Sequence, residues 1–138
     1  MAVEILHVRS RLAFEDAAKA ALKALGVAAA EEHDSENYPG GTYFLGRIGQ
    51  LKIKVTIESD TPFADCQYWV VLQAAQSADD LESIVMDSAK RLLSAGFQVL
   101  RGARETKHEV ERVEYRLDQS GNLAERERER VATTEPRG

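Results

Sequence analysis

The spacing of apolar residues changes several times along this chain, and each change marks the edge of an element. Val3 to Val8 is a short apolar run and reads as a strand. From Phe14 the spacing becomes helical: Phe14, Ala18, Ala21, Leu22 and Leu25 fall on one face. Glu15 and Asp16 stand in the first turn, where the helix dipole favours acids, Lys23 stands near the end, and Gly26 stops the helix. Val27 to Ala30 is a candidate for a short strand. Glu31 to Gly41, rich in charge and closing on Tyr38-Pro39-Gly40-Gly41, reads as a loop.

The stretch from Thr42 to Ala74 predicts three successive antiparallel strands. Thr42–Ile48 and Leu51–Glu58 flank Gly49-Gln50, a two-residue hairpin turn that sets Ile48 against Leu51, Gly46 against Ile53 and Phe44 against Val55. Gln67–Ala74 follows a polar loop, Ser59–Asp65, around Pro62. A strand with one wet face alternates apolar and polar residues, but here apolar residues occupy both faces. Tyr68, Val70, Leu72 and Ala74 form the core side with Phe44, Ile53 and Val55. Tyr43, Leu45, Trp69 and Val71 then form an apolar patch on the outer side, rimmed by Lys and Gln.

Ser77 opens a second helix, which carries an apolar stripe of Leu81, Ile84, Val85, Ala89 and Leu92 and ends at Gly96. Phe97–Leu100 is a strand candidate. Val110 to Leu117 alternates charged and apolar residues, and Asp118 to Asn122 has turn chemistry. Glu125 to Arg130 alternates strictly in sign. As a helix this would set like charges four apart, whereas as a strand it puts Glu on one face and Arg on the other. A four-residue loop would set Arg116 against Glu125, Arg112 against Glu129, Glu111 against Arg130 and Glu114 against Glu127.

The expected fold is therefore α+β: a mainly antiparallel sheet in the order β-α-β-β-β-β-α-β-β-β, with both helices on one face. A length of 138 residues fits one core, taken as residues 1–131 with a flexible tail over 132–138. No apolar run is long enough to span a bilayer and no secretory leader is present, so the expected location is cytoplasmic. One cysteine, Cys66, allows no internal disulfide. The net charge of −5 arises wholly in residues 1–100, which hold 9 Lys+Arg and 14 Asp+Glu; residues 101–138 hold 9 of each. No basic footprint marks a nucleic-acid partner.

Candidate chemistry is sparse. His33-Asp34-Ser35-Glu36, with Glu31 and Glu32, is the densest group of possible ligands, but it lacks calcium-loop spacing and reads as a solvated acidic loop. His7 and His108 share no zinc-ligand spacing with His33, so no metal or cofactor is expected. Cys66 has no local base beside it. Gly40, Gly41, Gly46 and Gly49 lack the Lys and helix of a phosphate loop. The carboxylate pairs Asp60/Asp65 and Asp79/Asp80 suit a loop and a helix cap. The arginines at 126, 128 and 130 suit a solvated edge hairpin.

From roughly Phe14 to Leu117 the element order resembles two kinds of small acidic bacterial protein: toxin-neutralising immunity proteins and secretion chaperones. The lack of a catalytic constellation and the strands that are apolar on both faces lead to the expectation of a non-enzymatic protein-binding module, like those two kinds by layout only, whose partner is another protein or a second copy of itself, docking on Tyr43, Leu45, Trp69 and Val71. The alternative is a small-ligand protein or enzyme with a pocket between the sheet and the C-terminal hairpin, lined by Tyr43, Trp69 and Tyr115 and anchored by Arg126 or Lys54. A third reading is a subunit of a larger assembly that uses the charged hairpin as an exposed edge; the competing account of the patch itself is that the hairpin folds back and covers it with Val113, Tyr115 and Leu117.

Overall fold

The computed structural model describes residues 2–36, 41–57, 63, 65–74, 78–103 and 108–132, the side chains of 78–80 excepted. Asp60, Pro62, the Asp79 and Asp80 side chains, and a tail over 133–138 lie outside the described residues.

The chain forms β1 (Ala2–Arg9), α1 (Phe14–Ala24), β2 (Glu31–Asp34), β3 (Thr42–Ile48), β4 (Leu51–Ile57), β5 (Tyr68–Ala74), α2 (Ala78–Ser94), β6 (Gln98–Ala103), β7 (Glu109–Leu117) and β8 (Leu123–Ala132). All strands join one antiparallel sheet in the order β2-β3-β4-β5-β1-β6-β7-β8. The fold is α+β, as the pattern predicts. The sequence did not show that β1 would lie at the centre. It pairs along its length with β5, Ala2 opposite Ala74 through Val8 opposite Tyr68, and at its far end with β6 through His7–Leu100 and Arg9–Gln98.

Both helices pack on one face. Ala17, Ala18, Ala21 and Leu22 are the buried residues of α1, and their small size brings it close to β3 and β4. Its end is closed by backbone bonds from Leu25 to Ala21, Gly26 to Lys23 and Val27 to Leu22. Leu81, Val85, Ala89 and Leu92 bury the inner stripe of α2. Beneath the helices lie Leu6, Val8, Phe44, Ile53, Val55, Val70 and Leu72, all buried.

The β3–β4 register is the expected one, with Phe44 opposite Val55, Gly46 opposite Ile53 and Ile48 opposite Leu51. Gly49 supplies the positive φ, +58°, that the turn requires. Gly46 has a different task. A Cβ there would lie 2.7 Å from both Val27 methyl groups and 3.2 Å from Leu22 Cδ2.

Three expectations need correction. Residues 27–30 form no strand, and Val27 instead packs its side chain over Gly46. The strand is Glu31–Asp34, inside the segment read as a loop; it is an edge strand paired only with β3, so its polarity reflects solvation, not irregular backbone. In the terminal hairpin, Arg112–Glu129, Glu111–Arg130 and Glu114–Glu127 pair as expected, but a bulge follows. Tyr115 meets Glu125 and Arg116 meets Ala124, with a five-residue connection from Asp118 to Asn122. The bulge breaks the expected separation of signs: Glu127 and Glu129 keep to one face, while Glu125 joins Arg128 and Arg130 on the other.

Gly46→Ala is expected to destabilise the fold by ~1–3 kcal/mol, because the methyl meets buried side chains on the core face. Urea denaturation would measure this. Adding Val27→Ala, which removes the clashing methyls, should recover part of the loss, and additive effects would argue against the close approach.

Candidate functional site

The face of the sheet away from the helices carries the residues that pattern analysis placed there, and adds others. His33 lies opposite Tyr43, Thr56 opposite Trp69, Trp69 opposite His7, and His7 opposite Leu100. The Phe44–Val55 register carries Tyr43 to the level of Thr56. One row therefore crosses β2, β3, β4, β5, β1 and β6. The neighbouring row holds Leu45, Lys54, Val71 and Ile5. Tyr43, Leu45, Trp69 and Val71 thus share a face; Leu45 is 4% exposed and the other three are half-buried.

Aromatic contacts organise the first row. Tyr43 stacks on His33 with ring centres 5.1 Å apart, and the Lys54 ammonium lies 5.0 Å from the Tyr43 ring centre. His7 meets Trp69 edge-on at 4.7 Å and lies flat against Phe63 at 3.6 Å. Phe63 comes from the connection between β4 and β5, which sequence reading treated as a polar loop. It packs with Cys66, Leu100 and Val110 in a second small core on this face. Asp65 pins the same connection: its carboxylate accepts bonds from Arg9 and, at 2.8 Å, from Arg112. The Arg112 guanidinium also lies 5.2 Å from the Phe63 ring centre.

These charges shift one another. Burial alone would raise the Asp65 carboxyl, but the Arg112 hydrogen bond and the charges of Arg112 and Arg9 outweigh it and hold the pKa below the usual carboxylate value. Burial pushes the Cys66 thiol up, and Asp65 adds to that. Cys66 is fully buried and is a packing residue, not an activated thiolate. The imidazole of His7 is lowered to about 3, first by burial and then by the Arg112 charge, with Asp65 opposing.

Among the described residues, four buried polar atoms of the first row find no hydrogen-bond partner: His33 Nε2, Thr56 Oγ1, Trp69 Nε1 and His7 Nδ1. Thr56 is 1% exposed and His7 6%. Buried polar groups are nearly always paired, so four in one row set this row apart. The rest of the patch is more open. Val3 is 51% exposed, Ile5, Val71 and Gln73 are half-buried, and Arg47 and Lys52 form a basic rim.

Pattern analysis found the patch because alternation assigns faces. It placed Thr56 beside Tyr43 but missed His7, Arg9, Phe63, Asp65 and Arg112 on this face, because strand order cannot be read from local spacing. The only available signal was that His7 and Arg9 share a parity in a strand. His33 and Asp34 fall on opposite faces of β2, so the pleat separates the densest group of possible ligands. Among the described residues no group of three His, Cys, Asp or Glu is placed to hold a metal ion, and no helix is long and apolar enough to cross a membrane. The C-terminal hairpin extends the sheet beside β6 and does not fold over the patch, so Tyr115 and Trp69 do not line a common pocket. No protein-family model, curated protein or solved structure matches the chain.

The lowered His7 pKa has a definite sign. Its folded value lies below the unfolded 6.5, so the unfolded chain takes up the proton first. Stability contributed by neutral His7 is complete above pH ~6.5 and is lost as pH falls, by at most ~1.4 kcal/mol per pH unit. Asp65 and Glu82, whose pKa values are lowered, contribute losses only in more acidic solution. Urea midpoints between pH 6.5 and 5 should fall for the wild type and stay nearly flat for His7→Phe. Parallel slopes would mean that His7 is not held neutral.

Proposed function

We propose that the protein is a non-enzymatic binding module that docks another protein, or a second copy of itself, through the outer face of the sheet. The observation that carries this reading is the cross-strand row of His33, Tyr43, Thr56, Trp69 and His7, with four polar atoms that find no partner among the described residues, beside the half-exposed Ile5 and Val71. Interfaces favour aromatic anchors within an apolar centre and a polar rim. Here Trp69 and Tyr43 are the anchors, and Arg47, Lys52 and Lys54 are the rim. The opposite face is already occupied by α1 and α2.

A second reading, a small-ligand protein, draws on a cleft of about 530 Å³ between the helices, floored by Ile53 and Ala74 and edged by Leu25, Ile84 and Arg91. That volume lies within the range of small-molecule sites. A ligand that binds only the native state there raises the melting temperature.

Tagged wild type should capture a stoichiometric partner, or its own untagged copy, from lysate of the source cells. Tyr43→Ala/Trp69→Ala, with unchanged circular dichroism, should lose it. Loss of a central aromatic anchor typically costs ~2 kcal/mol or more, about 30-fold in affinity. Val71→Lys tests the same face without removing a ring. Undiminished capture by both folded variants would refute docking on this face.

A further inference from the structure

We propose that the cleft at the end of β1 binds a small organic anion, a carboxylate or a phosphate ester that carries an apolar body. This site is separate from the docking face and does not depend on it.

The cleft lies where the chain leaves the sheet on both sides of the Arg9–Gln98 pair. Ser10 to Ala13 lead from β1 into α1, and Ala95 to Phe97 lead from α2 into β6. Between these two connections is a space of about 510 Å³, within the range of small-molecule sites. Gly96 opens onto it, and a Cβ there would meet nothing within 4 Å.

Its charge is positive, although the protein as a whole carries −5. Arg9 and Arg11 both line it, and Asp65 is the one carboxylate among the lining residues. Asp65 already accepts from Arg9 and from Arg112, so it cannot also neutralise Arg11. Arg11 is exposed and makes no ion pair or hydrogen bond among the described residues. The end of α2 adds little negative potential, because the carbonyls of Arg91, Leu92 and Leu93 accept backbone bonds from Ala95, Phe97 and Gly96.

The frame around Arg11 is fixed before any ligand arrives. The Gln67 amide bonds Ser10 twice, accepting from its N–H at 3.3 Å and donating to its carbonyl at 3.1 Å. Leu12 N–H donates to Ser10 Oγ at 3.1 Å, and the Tyr68 hydroxyl donates to the Leu12 carbonyl at 2.8 Å. Side chains from the start of β5 thus clamp the residues on either side of Arg11, so binding has only the arginine side chain left to order. The clamp also leaves Leu12 46% exposed at the edge of the cleft, while Phe97 is buried at its wall.

These parts select the ligand class. A guanidinium fork matches the paired oxygens of a carboxylate or phosphate. An exposed leucine beside it favours a ligand with an apolar body over a bare inorganic ion.

Phenyl phosphate and benzoate are the probes, titrated into the full-length ¹⁵N-labelled chain to ~10 mM, since ligands this small bind in the millimolar range. The amide signals of Ser10, Leu12, Gly96 and Gln98 should shift and saturate, and the tighter of the two probes assigns the head group. Inorganic phosphate should bind several-fold more weakly than phenyl phosphate. Arg11→Gln should weaken binding about tenfold or more, as expected for loss of a hydrogen bond to a charged group. Leu12→Ser should bring phenyl phosphate down to the level of inorganic phosphate. Lys23→Gln, at the far end of α1, removes the same charge and should change nothing. Absence of saturable shifts with both probes would overturn the proposal. So would undiminished binding by Arg11→Gln, an equal loss in Lys23→Gln, or equal affinity for inorganic phosphate and phenyl phosphate.

Discussion

Everything in this sheet depends on the position of β1. The strands β2 to β5 form one meander and β6 to β8 another, and only the N-terminal strand joins them. β1 has no free edge, so both of its faces must be accommodated. Leu6 and Val8 enter the core beneath the helices, and Ile5, His7 and Arg9 face the other side. That second set is the reason the outer face needs cover. A histidine in the middle of a central strand tolerates burial only as the neutral imidazole, and the ring of Phe63 laid flat against it supplies that environment.

The cover is held mainly by packing and is oriented by charge. Burying Phe63 is worth ~2 kcal/mol by transfer of an aromatic side chain. The Asp65 bridge is more exposed, at 45% for its side chain, and exposed ion pairs contribute ~0–1 kcal/mol. Phe63 therefore holds the connection down, and the two arginines fix where its carboxylate lies. Together they seal one side of the outer face and leave Val3, Ile5 and Val71 on the other without an equivalent lid among the described residues.

Local pattern made much of this legible. Alternation gave the faces of β3, β4 and β5, the Gly49-Gln50 turn gave their register, and helical spacing gave α1 and α2. What it could not supply was non-local. Nothing in Val3–Val8 states that its neighbours will be β5 and β6, so the alignment of His7 with Trp69 was hidden, and so was the seat of Phe63. Glu31–Asp34 was hidden for another reason: an edge strand with charge on both faces has the composition of a loop, and only pairing with Tyr43 and Leu45 distinguishes it. The bulge opposite Glu114–Tyr115 was hidden because a charge pattern fixes a register only while the ladder stays regular.

The two edges of the sheet carry charge patterns that disfavour pairing with their own copies. In an antiparallel pair that continues the sheet with its faces aligned, residues opposite each other belong to the same face. If β8 paired with its own copy in this way, Glu127 and Glu129 would meet glutamates on one face, and Arg128 and Arg130 would meet arginines on the other. The alternating run thus opposes like charge to like along that part of the edge. At the other end of the sheet, β2 carries Glu31, Glu32 and Asp34, so a copy added there meets acid with acid. Each edge thus repels the same edge of a second copy, and one face of the sheet is filled by helices.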